Sequence, residues 1–470
     1  MNIETLAKRY SNLPADWKVV PLGDVLANII GGGTPSRNDA TYWGGDIPWL
    51  TVKDMRSRRP ADAQEHITAR AVAESATSII PADTVITATR VGLGKVVRVP
   101  FPATINQDLK ALIVRPELDK SYLEYWIVSI ATFLESIGSG TTVKGIRLET
   151  LRQLPFPLAP LKQQQEIVAE IEKQFSRLDE AVANLKRVKA NLKRYKASVL
   201  KDAVEGRLVP TEAELAGREG RSYETGAQLL QRILEIRRSH WKGKRNYREP
   251  VAPETADLPE VPPGWVWASP EQLSAGEPYS LAIGPFGSSL KVSDYKAEGV
   301  PLVFVRNIRA VSFGGPDAVF VTPEKAEELK AHLVEAGDIL VTKMGAPPGD
   351  VCMYPATRPP AVITADCIKL RLMREQLCAS FFGYAIESKL VQSQILGITK
   401  GVAQLKVSLG NFCSIAFPLP PLAEQRRIVA EVDRRLSLVR VVEAEVDANL
   451  KRAQALRQAV LARTFASSAH

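Results

Sequence analysis

Two short strings in this 470-residue chain invite a catalytic reading: VGLGKV at 91–96 and APPGD at 346–350. A phosphate-cradling NTP loop needs GxxxxGK[ST], whose backbone amides, lysine and hydroxyl surround the phosphates and their magnesium. VGLGKV is too short for that, and it lacks the third glycine and the following helix of a dinucleotide-binding GxGxxG. It reads as a turn. APPGD is the nearest string to the (N/D)PP(Y/F) tetrapeptide of DNA amino-methyltransferases, but it has neither the polar lead nor the aromatic end. Cysteines at 352, 367, 378 and 413 form no CxxC pair, and histidines at 66, 240, 332 and 470 are scattered. Neither set has the spacing of a zinc site or a disulfide framework. No nucleophile–base set and no carboxylate pair stands out. The expectation is a chain without catalysis, metal or cofactor of its own.

The bulk composition is that of a globular protein, with 45% hydrophobic and 24% charged residues. No window has the roughly 18 apolar residues of a spanning helix. The N-terminal MNIETLAKRY has no signal-like apolar core, so a reducing cytoplasm is expected. A net charge of +9 and a pI of about 9.2 permit a polyanionic partner without requiring one.

What must position any functional side chain is an internal repeat. FPLAPLKQQQEIVAEI at 156–171 returns as FPLPPLAEQRRIVAEV at 417–432, with ten of sixteen positions identical at a separation of 261 residues. Upstream, ATINQD (103–108) answers AVITAD (361–366), GDIPWLTVKDM (45–55) answers EGVPLVFVRNI (298–308), and LPADWKV (13–19) answers VPPGWVW (261–267). The offset drifts as loop-length changes would make it.

From Leu161 to about Glu205 there is no proline or glycine, and Gly206 follows as a helix stop. Apolar residues at 168, 171, 175, 178, 182, 185, 188, 192, 195 and 199 form a narrow heptad-like stripe with one phase slip. Positions 429, 432, 436, 439, 442, 446, 450, 453, 456 and 460 repeat it. About 45 residues at 1.5 Å each make a rod of roughly 65 Å, which cannot bury its stripe without a partner helix. Matched lengths and slips favour the two rods packing on each other over two separate surface helices or homodimeric coils.

The regions between the rods are mixed. TVITATR (84–90) and DILVTK (338–343) read as strands, 121–137 and 379–396 as helices, and the glycine-rich IIGGGTPSRND and AIGPFGSS as loops. The fold class expected is α+β: two similar mixed α/β domains separated by two long antiparallel coiled-coil helices, with an internal pseudo-two-fold repeat. The boundaries read as 1–155, first globular domain; 156–206, central helix; 207–260, a linker with a short basic helix fraying into a Pro-rich tether; 261–416, second globular domain; and 417–470, distal helix. The rods are alike while the globular parts have diverged, which suits constant spacing with variable heads as well as ordinary loop drift.

The duplicated FPLxPLxxQxxIVxEI, the pair LPADWKVVPLGDV and VPPGWVWASPEQL, and GGTPSRNDATYWGGDIPWLT resemble the specificity (S) subunits of type I restriction-modification systems over essentially the whole chain. The resemblance implies two target-recognition domains, each reading one half of a split, asymmetric site in double-stranded DNA. It implies a subunit without catalysis that binds two modification (M) subunits and, where a nuclease exists, two restriction (R) subunits. S-adenosylmethionine, ATP and Mg2+ are then used by those partners and not by this chain.

Base edges are read by Arg, Lys, Asn or Gln, and phosphates are held by Arg, Lys or backbone amides. On that basis the DNA-binding candidates are Arg37, Lys53, Arg56, Arg58, Arg59, Arg90, Lys95 and Lys144 in the first domain. In the second they are Lys291, Arg306, Asn307, Arg309, Lys343, Lys400, Gln404 and Lys406. For any one of them taken singly, a solvated surface group is the commoner role. Arg56→Ala combined with Arg58→Ala is expected to weaken DNA binding without unfolding the chain. Leu161, Ile167, Val168, Ile171 and Phe175, with Leu422, Ile428, Val429, Val432 and Leu436, are expected to pack the helices or dock subunits. The alternatives left open are a DNA enzyme with an unfamiliar site and a coiled-coil scaffold indifferent to DNA.

Overall fold

The computed structural model describes residues 3–140, 144–241, 246–309, 313–314, 318–401 and 405–466. The chain divides into two compact units, one built from the residues up to Arg187 with those from Val446 onward, the other from Val188–Glu445.

In the first unit an antiparallel sheet runs in the order Leu26–Gly31, Leu109–Val114, Val85–Ala88, Val96–Val97. A second, three-stranded sheet places Trp43–Leu50 between Glu65–Ile67, antiparallel, and Thr104–Ile105, parallel. Lys18–Pro21 pairs with Pro155–Leu158 and brings the start of the module to the foot of the long helix Leu161–Val204. The second unit repeats this plan. Its antiparallel sheet is Leu281–Ile283, Cys367–Leu370, Ile339–Thr342, Val351–Met353. Val300–Val303 again pairs in parallel with Ala361–Ile363, and Val266–Ala268 pairs with Phe417–Leu419 before the long helix Leu422–Ala466. Register is kept as well as order: Trp49↔Thr104 and Leu50↔Ile105 in one unit correspond to Leu302↔Val362 and Val303↔Ile363 in the other.

The recurring motif has a physical reason in each unit. Proline ends the short strand, since it has no N–H to continue the ladder, and the long helix starts at once. Four residues into the helix the glutamine turns inward. Gln164 accepts a hydrogen bond from the Asp119 N–H (2.8 Å) and donates to the carbonyls of Glu117 (2.9 Å) and Ala159 (2.7 Å). Gln425 accepts from the Cys378 N–H (2.9 Å) and donates to the Pro420 carbonyl (2.8 Å). Asp119 and Cys378 are the N-caps of helices Lys120–Ser129 and Ala379–Glu387, so one amide clamps module to rod in each unit. The preceding residue is held by the lead-in tryptophan: Trp17 Nε1 donates to Gln163 Oε1, and Trp265 Nε1 to Glu424 Oε1.

Within each unit the start of one long helix lies in a core with the end of the other, which makes the pairing antiparallel. In the first, Ile171 and Phe175 share a core with Leu461 and Phe465, and Tyr122 meets Phe465 edge-on at 5.1 Å. In the second, Ile428, Val432 and Leu436 share a core with Val199, Leu200, Ala203 and Val204. Gly206, at φ 68°, closes the first helix where a β-carbon would lie 2.4 Å from Pro262.

The structure corrects four expectations. The stripe is not continuous: Val188, Tyr195, Val442 and Leu456 are exposed, because a straight 3.6-residue helix drifts off a strict heptad seam. Leu161, in the first turn of its helix, is 41% exposed and is not part of the core. Ile167, Val168, Leu422 and Val429 are partly buried against their own cores. The helices at 121–137 and 379–396 are each two, Lys120–Ser129 with Ala131–Ile137 and Ala379–Glu387 with Lys389–Gly397. The segment 207–260 is not a free tether. It forms Glu212–Glu219 and Gly226–Ser239, both opened by threonine capping boxes, and buries Leu208, Leu229 and Ile233 in the second core. Its Arg237 is turned inward onto the Ser274 carbonyl (2.6 Å), so that charge is not offered to a ligand. The basic residues 242–245 lie outside the described residues.

Lys369 is 2% exposed, and its ammonium donates to the carbonyls of Ala331 (3.2 Å) and Leu333 (2.7 Å). Burial, reinforced by Arg371, pulls it down from 10.5 to about 8. Between those values the unfolded chain keeps a proton the folded chain has lost, so stability rises with pH over roughly 8 to 10.5. The penalty, about 3 kcal/mol, is full below that window. Lys369→Met is expected to flatten that rise in thermal-unfolding scans; an unchanged slope would refute it.

Candidate nucleic-acid interface

At one edge of each module the loops are stitched together by backbone hydrogen bonds. In the first, Asn106 N–H donates to the Leu50 carbonyl (3.0 Å) and Gly33 N–H to Ile105 (3.0 Å). Thr89 and Arg90 N–H donate to Asp108 (2.8 and 3.2 Å), and Ile146 N–H to Thr89 (2.9 Å). The turn at 91–95 lies over the next one, with Gly92 facing Val52. In the second, Thr364 N–H donates to Val303 (2.9 Å), Lys343 N–H to Asp366 (2.7 Å) and Val407 N–H to Lys343 (3.0 Å). The same connections recur because the same strands end there.

This edge gathers Lys53, Arg56, Arg90, Lys95 and Lys144 in the first module. Lys53, Arg56, Lys95 and Lys144 are exposed. Arg90 is exposed but 3.3 Å from Asp108. Lys110 joins them from the strand Leu109–Val114, half-buried, with its ammonium on the Gln107 and Leu109 carbonyls (both 3.2 Å) and its pKa lowered by burial. In the second module the edge carries Arg306, Arg309, Lys343, Lys400 and Lys406. Arg309 is engaged with Asp350 at 2.7 Å, and Arg306 lies over the Phe304 ring at 4.3 Å. Lys343 holds the Ala365 carbonyl at 3.3 Å, and Lys400 and Lys406 face each other across a backbone bridge. Lys291 stands exposed on the turn Val292–Asp294. Gln404 lies outside the described residues.

Four candidates already have partners within the fold. Arg59 makes a fork to Glu124 (2.8 and 2.7 Å), a carboxylate only 1% exposed, and Arg58 reaches the same group at 3.6 Å while covering Tyr125. Asn307 accepts from the Phe304 N–H (2.8 Å) and donates to the Gly314 carbonyl (3.0 Å). Its counterpart Asp54 braces the equivalent turn from Thr51, so that aligned pair is a shared turn brace. Arg37 forks onto Glu65 (2.6 and 2.8 Å) and lies 3.6 Å from the Trp43 ring centre; the fork holds the Glu65 carboxyl below its usual range. Sequence reasoning looked in and beside glycine-rich turns and so missed Lys110, which sits within a strand pattern, along with Thr34, Gln107 and Phe286 in the loops beside it.

A family profile described as type I restriction modification DNA specificity domain matches residues 14–194 and 302–440, more than half of the chain. The chain belongs to that family. The type I restriction enzyme MjaIX specificity subunit of Methanocaldococcus jannaschii is 31% identical over 36% of this chain and 40% of its own length. The EcoR124I/EcoR124II specificity subunit of Escherichia coli is 33% identical over 36% of this chain and 42% of its own. Over those two relatives the chain thus spans about two fifths of their length. The EcoDI specificity subunit of Escherichia coli matches at 22% identity over 96% of this chain and 88% of its own. Among solved structures, a chain from work on complex assembly and conformational transition of the type I R-M system aligns with a TM-score of 0.64 at 17% identity, covering 96% of this chain and 98% of that one. It shows the shared fold.

For a family member, the two stitched edges are the places where loops of different sequence stand on equivalent frames. Among the described residues no cluster of three His, Cys, Asp or Glu is arranged to hold a metal, and no helix is long and apolar enough to cross a membrane.

Proposed function

We propose that the chain is a DNA-specificity subunit of a type I restriction-modification complex, reading a bipartite, asymmetric site with one module per half. The observation that carries this is the repetition of one module, with the same four-stranded sheet order and the same parallel pairing in register, and different cation-bearing loops on the same edge. Phosphate contacts from Lys and Arg position a protein on duplex DNA, and base contacts in the groove specify sequence. Equivalent frames with unequal loops suit two unequal half-sites. The relatives, all named as type I specificity subunits, support the same reading.

On this reading the chain has no catalysis of its own and binds neither S-adenosylmethionine, ATP nor Mg2+. Those belong to two modification subunits and, in a cleaving complex, two restriction subunits, in the cytoplasm. The exposed Leu438, Val441 and Val442 on the second long helix offer apolar surface to such subunits. Deleting the gene should abolish one bipartite methylation pattern in the host genome; a methylome that keeps every pattern would overturn the proposal.

Arg56 is exposed, whereas Arg58 is tied to Glu124. Arg56→Ala alone is therefore the cleaner test. It is expected to leave the unfolding midpoint in place, weaken binding to all duplexes alike and lower the salt slope by about one. An unchanged salt slope would remove Arg56 from the interface.

A further inference from the structure

We infer that Phe286 is a specificity-determining residue of the second module, reading the C5-methyl group of a thymine in its half-site. This rests on the reading of the chain as a DNA-specificity subunit. Phe286 is 72% exposed in the glycine-rich loop after the strand Leu281–Ile283, where nothing in its own unit calls for a ring.

Strand register fixes its counterpart. Gly31 opposes Lys110 and Ile283 opposes Ile368, so Gly32 corresponds to Gly284. Both glycines are pressed on the same neighbouring loop. A β-carbon on Gly32 would lie 2.1 Å from the Asn106 carbonyl oxygen, and one on Gly284 would lie 2.0 Å from that of Thr364. Two residues on, Phe286 stands where the first module has Thr34. The loop beneath carries Ala365 where the first module has Gln107, and there Thr34 Oγ donates to Gln107 Oε1.

The charge at this place is conserved between modules although its source is not. Lys110 holds the Gln107 carbonyl at 3.2 Å from the strand Leu109–Val114, and Lys343 holds the Ala365 carbonyl at 3.3 Å from just past the end of Ile339–Thr342. A cation that can meet a phosphate is therefore kept, while the uncharged pair beside it changes from hydroxyl and amide to ring and methyl. An amide discriminates bases by hydrogen bonding. Hydrocarbon can distinguish only the thymine methyl in the major groove.

The test uses the full complex purified from the host, on the duplex its methylation pattern defines. Each thymine of the second half-site is replaced in turn by deoxyuridine, which lacks only the methyl. At one position the wild-type complex should lose about fourfold in affinity, the worth of one buried methyl. Phe286→Ala should bind the two duplexes equally, Phe286→Leu should restore most of the difference, and first-half substitutions should be unaffected. The ring is exposed, so neither variant should shift the unfolding midpoint. No methyl-sensitive position, or one that persists in Phe286→Ala, overturns the inference. So does a uniform loss on every duplex accompanied by lost DNA bending, which would mark an inserted wedge. A wild-type complex with no sequence preference overturns the underlying reading itself.

Discussion

Asp338→Ala should destabilise the second unit by about 3–5 kcal/mol. Asp338 is fully buried at the turn leading into the strand Ile339–Thr342. Its carboxylate accepts from Arg371 Nε and Nη2 (3.0 and 2.8 Å), from Arg374 Nη2 (2.6 Å) and from the Glu335 N–H (2.9 Å). Truncation leaves two guanidinium groups and a backbone N–H without the acceptor around which they are arranged. Arg371 is itself mostly buried, so water replaces that acceptor poorly. The first module has Thr84 here, whose hydroxyl donates to the Pro81 carbonyl (2.8 Å), and Ile113 in place of Arg371. The ion cluster is thus a feature of one module, and its members should act as a set. Asp338→Ala with Arg371→Ala should cost clearly less than the sum of the single changes, since the second removes the charge the first orphans. Urea titration of the full chain, with hydrogen exchange to locate the loss, measures both. Additive losses, or a single-variant loss under about 1 kcal/mol, would show that the cluster is solvated in practice.

Gln164→Ala and Gln425→Ala should each cost about 2–3 kcal/mol, one in each unit. Both side chains are fully buried. Each removal strands the N–H at the start of a module helix and at least one carbonyl, and opens a void at the foot of a rod. Glutamate should rescue little, because a carboxylate can accept from the N–H but cannot donate to the carbonyl. Because each amide serves one unit, exchange protection should fall in 109–158 for the first variant and in 367–419 for the second. Equal protection in both units after either change would contradict the clamp.

These glutamines also mark what could be read before folding. The duplicated FPLxPLxxQxxIVxE displayed the repeat, the proline stop and two long helices, because local backbone rules and spacing carry those features. Strands such as 85–88 and 339–342 were legible as β-branched runs. That the glutamine faces inward, and which helix it holds, was not legible, because the N–H it accepts from lies about 45 residues away in sequence.

The candidate site divides in the same way. Residue type and nearness to glycine-rich turns selected sixteen DNA candidates. Tertiary structure then set Arg58, Arg59 and Asn307 to bracing work and brought Lys110 to the edge. Charge is a property of the residue, but availability depends on what the fold places beside it. Glu124 is 65 residues from Arg59 and is buried by a core that no local pattern specifies. Repetition and periodicity are local and additive, so a duplicated architecture of modules and helices could be read straight from the residues. Tertiary structure alone decided which cations remain free to meet a ligand, because pairing and desolvation arise only between groups that folding brings together.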